Sequence, residues 1–224
     1  MEIRKTNLLL IQHTQVQIMK RYPKIFGQIN ATHDIYAFDK LDGSNIRVEW
    51  TRKKGFVKWG TRKQLLSSEQ GILTTAIEKI NNKYLEDLTN IFKKQRYEKA
   101  VCFMEFVGPN SFAGSHHDAP KDIDVILFDI SPHKKGMLPA NEFLKLCKNL
   151  HTPDVLYHGK ANARLIEQVE NGTLPGMTFE GVVCKGPYVR KTGMPIIFKI
   201  KNRAWIDKLK IYCGDDEKLF ENLI

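Results

Sequence analysis

The stretch Lys40-Leu41-Asp42-Gly43-Ser44-Asn45 places a lysine two positions before Asp-Gly, with apolar residues close upstream. A lysine amine is a nucleophile only when deprotonated, and burial and neighbouring cations lower its pKa toward that state. The pattern suits a covalent lysine nucleophile. It suits an ordinary surface lysine at a hairpin equally well, because short motifs recur by chance. Other charged residues sit where charge is costly. Glu105 lies inside the apolar run Ala100–Val107, where an acid must be paired, hydrogen-bonded or functional. Glu180 precedes Gly181-Val182-Val183-Cys184-Lys185, and in Ile196–Lys201 the alternation puts Lys199 and Lys201 on one face. His116, His117 and Asp118 are ligand types; adjacent in a loop without a catalytic metal spacing, they are either metal ligands or solvated polar residues.

These residues need elements to hold them. Ile35–Phe38 and Ile46–Trp50 have strand composition, so Asp42-Gly43 is expected as the tight turn of a hairpin, with Gly43 free to take a positive φ and Lys40 at a strand end facing a cleft. A second strand pair breaks at Lys53-Lys54-Gly55. Leu73, Ala76, Ile77, Ile80, Tyr84, Leu88, Ile91 and Phe92 form a helical stripe, the face of a scaffold helix packed on a sheet. Ala100–Val107, Asp124–Ile130, Phe179–Lys185 and Ile196–Lys201 are expected strands, Asn141–Leu150 and Ala161–Glu170 helices, and 108–122 a loop. Residues 1–34 show no clear period, with turns at Tyr22-Pro23 and Phe26-Gly27, and carry no assigned chemistry.

A chain of 224 residues is long enough to bury a core as a single domain, and no repeat or linker divides it. Cys102, Cys147, Cys184 and Cys213 are widely spaced without a C-x-x-C pair, which points to reduced thiols rather than disulfides or a zinc knuckle. Gln12-His13 interrupts the apolar run Leu8–Ile11 before it can form a signal or membrane segment, so the expected location is cytoplasmic, with no membrane partner. The net charge of +10 points to an anionic partner, nucleic acid ahead of a membrane surface. Six basic residues and no acid lie in 52–63 (Arg52, Lys53, Lys54, Lys58, Arg62, Lys63), interleaved with Phe56 and Trp59, either a phosphate-facing edge or a solvated strand edge. Eight basic residues lie in 185–210 against one acid, Asp207.

Taken in order, these stretches resemble the covalent nucleotidyltransferase superfamily of ATP-dependent ligases and capping enzymes, and within it the RNA ligases. The resemblance runs through Lys40–Asn45, Gly60-Thr61-Arg62, Met104–Gly108, Leu127–Ile130, Glu180–Val183 and Lys199–Lys201. It implies an α+β, ATP-grasp-like nucleotidyltransferase domain: two mainly antiparallel sheets, flanking helices and an ATP cleft between the sheets. It implies that Lys40 attacks the α-phosphate of ATP and holds AMP, and that the AMP passes to an RNA 5′-phosphate, which a 3′-OH then attacks. Lys199 and Lys201 would bind the α-phosphate and help keep Lys40 neutral. Glu180 would hold Mg²⁺ (or Mn²⁺) through water, Glu105 accept from a ribose hydroxyl, and Phe128 stack on adenine. Asp39 and Leu41 would meet the base's polar edge, and Asn45 and Arg62 would address the phosphate. DNA ligases and capping enzymes carry Arg where this chain has Asn45, which favours RNA. Residues 202–224 read as a short tail with no OB domain, which implies a minimal ligase, a missing C-terminal domain or partner protein, or an adenylyltransferase core. The rival readings are a DNA ligase or mRNA-capping guanylyltransferase core, and a nucleic-acid-binding module without catalysis.

Overall fold

A computed structural model describes residues 19–25, 27, 32–66, 72–109 and 122–224. Eight strands form two four-stranded antiparallel sheets. The first has the order β6 (Val155–Lys160), β1 (Asp34–Asp39), β7 (Gly181–Val189), β8 (Met194–Lys201). The second has the order β3 (Gly55–Thr61), β2 (Ser44–Thr51), β4 (Lys99–Val107), β5 (Asp124–Pro132).

The expected hairpin across Asp42-Gly43 does not form. β1 and β2 belong to different sheets, and residues 40–43 carry the chain from one to the other. Gly43 is not among the positive-φ residues. It is needed for space: a Cβ there would stand 2.3 Å from the carbonyl oxygen of Phe106, so only glycine lets the crossing pass against β4. The hairpin at 52–54 is present, joining β2 to β3.

Each sheet buries its outer face against helix. α1 (Ile72–Lys94) lays Ala76, Ile80, Tyr84, Leu88 and Phe92 over Val48, Trp50, Cys102, Met104 and Leu127 of the second sheet. Trp50 Nε1 donates to Thr89 Oγ1 at 2.9 Å, so the buried indole keeps its hydrogen bond. α3 (Ala163–Glu170), capped by Asn162 Oδ1 accepting from the Leu165 N–H, sets Leu165 and Val169 against Ile35, Ala37, Val182 and Cys184 of the first sheet.

α2 (Ala140–Leu146) is a turn shorter than its stripe suggests. A Leu150 N–H to Cys147 C=O bond turns the chain, and His151 C=O then accepts from Leu127 N and Tyr84 Oη, a seam no continuing helix could make. The expected short tail is two helices, α4 (Arg203–Cys213) and α5 (Glu217–Leu223). β6, a half-exposed edge strand, was also not anticipated. All four cysteines are buried and unpaired. Among the described residues no helix is long and apolar enough to cross a membrane.

Candidate active site

Between the inner faces of the sheets lies a cavity of about 270 Å³, and all ten of the site residues expected from sequence line it. Lys40 follows the last residue of β1, and its backbone N–H donates to the Gly181 carbonyl at 2.9 Å, which pins the lysine to the start of β7. Gly181 has φ +131, and a Cβ there would meet the Ile200 carbonyl oxygen at 2.2 Å. This close approach brings Glu180, immediately before β7, between Lys40 and β8.

Glu180 binds two ammonium groups. Its Oε2 accepts from Lys40 Nζ at 2.7 Å and its Oε1 from Lys201 Nζ. Burial pushes the Glu180 carboxyl up, but Lys40 and Lys201 overcome this and hold it below its ordinary value. Lys201 lies 3.4 Å from the centre of the Trp205 ring, and Trp205 Nε1 donates to Asp42 Oδ2. The first helix after β8 therefore supports one of the cations from behind.

The lysines do not divide as expected. Burial lowers the Lys40 pKa, but Glu180, Glu105 and Asp42 outweigh it, and the amine keeps its proton more tightly than a free lysine. Lys199 and Lys201 are the lowered pair. Burial, with Lys40 adding repulsion, takes Lys199 to about 8 and Lys201 to about 7, in spite of Glu180. In this state neighbouring cations therefore do not keep Lys40 neutral; three acids hold its charge. Lys199 Nζ donates to the Ile224 carbonyl, which places the end of α5 beside the phosphate-binding candidates.

The second sheet forms the opposite wall. Asn45 pairs with Glu105 across β2 and β4, and the buried Asn45 Oδ1 has no hydrogen-bond partner among the described residues. Burial raises the Glu105 carboxyl to about 8, with Lys40 opposing and Glu180 and Asp42 adding. Arg62 stands exposed just after β3. Asp39 Oδ1 accepts from Thr178 N at 3.0 Å and from Thr178 Oγ1 at 3.2 Å, and the Asp39 backbone N–H donates to the Asp154 carbonyl at 2.9 Å.

Phe128 forms the far end of the cavity with residues that were assigned no chemistry. Tyr22 packs edge-on to Phe128 with centroids 5.0 Å apart, and its hydroxyl donates to Asp129 Oδ2 at 3.0 Å. Tyr22, Pro23 and Ile25 belong to a strap, residues 19–25, laid over the second sheet and held by the buried Arg47, which donates to the carbonyls of Met19, Lys20 and Thr61. No local signal marks this strap. Lys185, the second charge of the expected strand Phe179–Lys185, lies buried at the cavity wall with Nζ 2.9 Å from Asp129 Oδ2.

Among the described residues no three His, Cys, Asp or Glu side chains gather to hold a metal, and His116, His117 and Asp118 lie outside the described residues. The hard oxygens of Glu180 suit an oxygen-loving divalent ion whose remaining ligands come from phosphate and water. The arrangement joins a lysine bound to a carboxylate, two further cations on one strand face, and an unsatisfied amide oxygen opposite.

A family model described as RNA ligase matches residues 33–201. No curated protein matches the chain. Among solved structures, a Naegleria gruberi RNA ligase mutant with AMP and Mn is similar at 16% identity and a TM-score of 0.63, over 85% of this chain and 58% of that one. The same organism's RNA ligase with PPi is similar at 18% identity and a TM-score of 0.63, over 86% and 58%. A further mutant with ATP and Mn is similar at 17% identity and 0.59, over 80% and 52%. At such identities the likeness is one of fold, and the chain spans less than two thirds of the length of these structures.

Proposed function

The chain belongs to the RNA ligase family, and from that premise we propose that it joins RNA ends at the expense of ATP, with Lys40 as the residue that carries AMP. The observation that supports this most is the Lys40–Glu180–Lys201 cluster, in which a carboxylate fixes the lysine amine at the cavity and Lys199 and Lys201 stand on β8 beside it.

In the proposed reaction ATP is a consumed substrate. The Lys40 amine forms a bond to the α-phosphorus, the bond from that phosphorus to the bridging oxygen breaks, and pyrophosphate leaves. The amine must first give up a proton, and it does so against the hold of Glu180 Oε2 at 2.7 Å, so loading is favoured as pH rises. Lys199 and Lys201 neutralise the α-phosphate, the main demand of phosphoryl transfer. Both gain stability as cations when a polyanion enters, since burial keeps them short of counter-charge. Glu105 meets the ribose, Phe128 packs on adenine, and the backbone at Asp39 and Leu41 meets its polar edge. Mg²⁺ or Mn²⁺, held by Glu180 through water, supplies further neutralisation of the phosphates when bound. Asn45 and Arg62 then orient the phosphate while AMP passes to the RNA 5′-phosphate and the 3′-OH displaces it.

Intact-mass measurement after incubation with ATP and Mg²⁺ tests this reading. The protein should gain one AMP, and Lys40→Ala should gain none. An adduct that persists in Lys40→Ala would refute the assignment of the nucleophile.

A further inference from the structure

A second cavity, of about 260 Å³, opens on the same face of the second sheet, beyond the strap. β2 and β4 pair Asn45 with Glu105, Arg47 with Phe103 and Glu49 with Val101, and these alternate residues point to one side. The first pair lines the active-site cavity, Arg47 is covered by Met19 and Lys20, and the third pair lines the second cavity with Ser131. At about 3.3 Å per residue, Glu49 lies roughly 13 Å along β2 from Asn45.

The wall of this cavity is basic. Lys20, Lys99, Lys134 and His133 line it against a single acid, Glu49. Glu49 is only 2% exposed, and its charge is matched inside the wall: Oε1 is 3.5 Å from Lys58 Nζ and Oε2 2.7 Å from Lys99 Nζ. Lys20 Nζ has the neutral Ser131 Oγ as its acceptor at 2.7 Å, and burial lowers its pKa although Asp129 opposes this. Neither Lys20 nor Lys134 has a carboxylate within ion-pair distance among the described residues. Between the two cavities run Arg62, Lys63, Arg21 and Lys20, with Arg21 Nη2 donating to the Lys63 carbonyl at 3.0 Å. A strand leaving the cleft along this ridge meets cations at each step.

We propose that the second cavity is a phosphate subsite for the RNA strand whose end lies in the active site, with Lys20 and Lys134 clasping a backbone phosphodiester a few nucleotides from that end. This rests on the RNA-joining reading above and adds the place where the body of the strand is held. Charge favours a phosphodiester over a whole base, since the pocket walls present three ammonium groups, one hydroxyl and one imidazole.

The test uses the full chain, 5′-phosphorylated oligoribonucleotides of increasing length, and the pair of substitutions Lys20→Gln and Lys134→Asn. Asparagine is chosen because residue 134 has φ +66, which it tolerates. For the unaltered protein, affinity should step up once the oligonucleotide is long enough to span the ridge. The double variant should lose that step, roughly tenfold in affinity, as expected for a charged hydrogen bond. Its dependence of log affinity on log salt for the long strand should also flatten by about 0.7 per lost contact. AMP loading of Lys40, read by mass in the same preparations, should be unchanged, which also shows that the variant is folded. Loading intact with the length step also intact in the variant overturns the subsite alone, as does the absence of any step in the unaltered protein. Loss of loading in the unaltered protein overturns the function reading instead. A loss of affinity equal for short and long strands would place these lysines in general attraction and overturn the subsite.

Discussion

Glu180→Gln should destabilise the protein in a manner that depends on pH, because it leaves two buried ammonium groups facing each other without their shared carboxylate. Side-chain exposure is 5% at Glu180, 7% at Lys201 and 23% at Lys40, so the cluster is largely removed from water. Breaking a buried ion pair by removing one partner costs roughly 3–5 kcal/mol, and the partial exposure of Lys40 argues for the lower end, about 3 kcal/mol. For a chain of this size that corresponds to a fall in Tm of roughly 6–12 °C. Glu180 has a lowered pKa, so its stabilisation is present above its unfolded value and is lost as pH falls through the folded one. Lys40 has a raised pKa, so its contribution is present below the ordinary lysine value and is lost only at higher pH. In the variant Lys201 has burial without its carboxylate and Lys40 keeps only Glu105 and Asp42, so their folded pKa values fall, folding then favours neutral amines, and stability climbs as pH rises toward the ordinary lysine value. The gap between the two proteins should be widest between mildly acidic and neutral pH and should shrink by pH 9. Thermal unfolding at pH 6, 7.5 and 9 measures this. An unchanged Tm, or a gap of the same size at every pH, would refute the reasoning that Glu180 is the common counter-ion.

At pH 8, where ATP is fully ionised, its binding should take up protons, because Lys199 near 8 and Lys201 near 7 must charge fully against the phosphates; calorimetry in buffers of differing ionisation heat reads the uptake, and a value of zero would contradict it. Gly181→Ala should cost on the order of 3 kcal/mol by denaturant unfolding and impair AMP loading, since the new Cβ meets the Ile200 carbonyl at 2.2 Å and the Gly181 carbonyl anchors Lys40; wild-type stability would show that β7 and β8 can separate freely there. Lys199→Ala should abolish formation of the AMP adduct, whereas Asn45→Ala should keep part of the loading yet fail to seal a pre-adenylylated RNA end; sealing by Asn45→Ala at the wild-type rate would remove Asn45 from the transfer step.

The charged residues inside strands were the legible part of the site. Glu105, Glu180, Lys199 and Lys201 stand out because an apolar strand must account for each charge it carries, and all four face one cavity. The strap was illegible for the opposite reason: Tyr22, Pro23 and Ile25 have no period to read, and their positions depend on Arg47, far along the chain. The hairpin at Asp42-Gly43 was misread because turn propensity is local, whereas the choice of β4 rather than β1 as the partner of β2 is made by burial against α1. In the last segment the count of basic residues drew attention away from Trp205, Leu209 and Cys213, whose four-residue spacing is a helical stripe and which pack together as the buried face of α4. The direction of the Lys40 pKa shift could not be read at all, since it is set by three acids brought together from different elements.

The chain crosses between sheets directly after Lys40, and this sorts the candidate residues onto two bodies. Lys40, Glu180, Lys199 and Lys201 ride on or beside the first sheet, while Asn45, Arg62, Glu105 and Phe128 ride on or beside the second. A small rigid rotation of one sheet against the other alters every distance between the two sets and none within either. The machinery that would charge the lysine is thus mechanically separable from the surface that would present a strand to it. Substitutions on β2, β3 and β5, and on β4 away from Glu105, can retune what is presented without disturbing the ammonium–carboxylate cluster, and of the two links between strands of different sheets the four residues 40–43 are the short one, the other being the 133–154 segment that carries the chain from β5 back to β6.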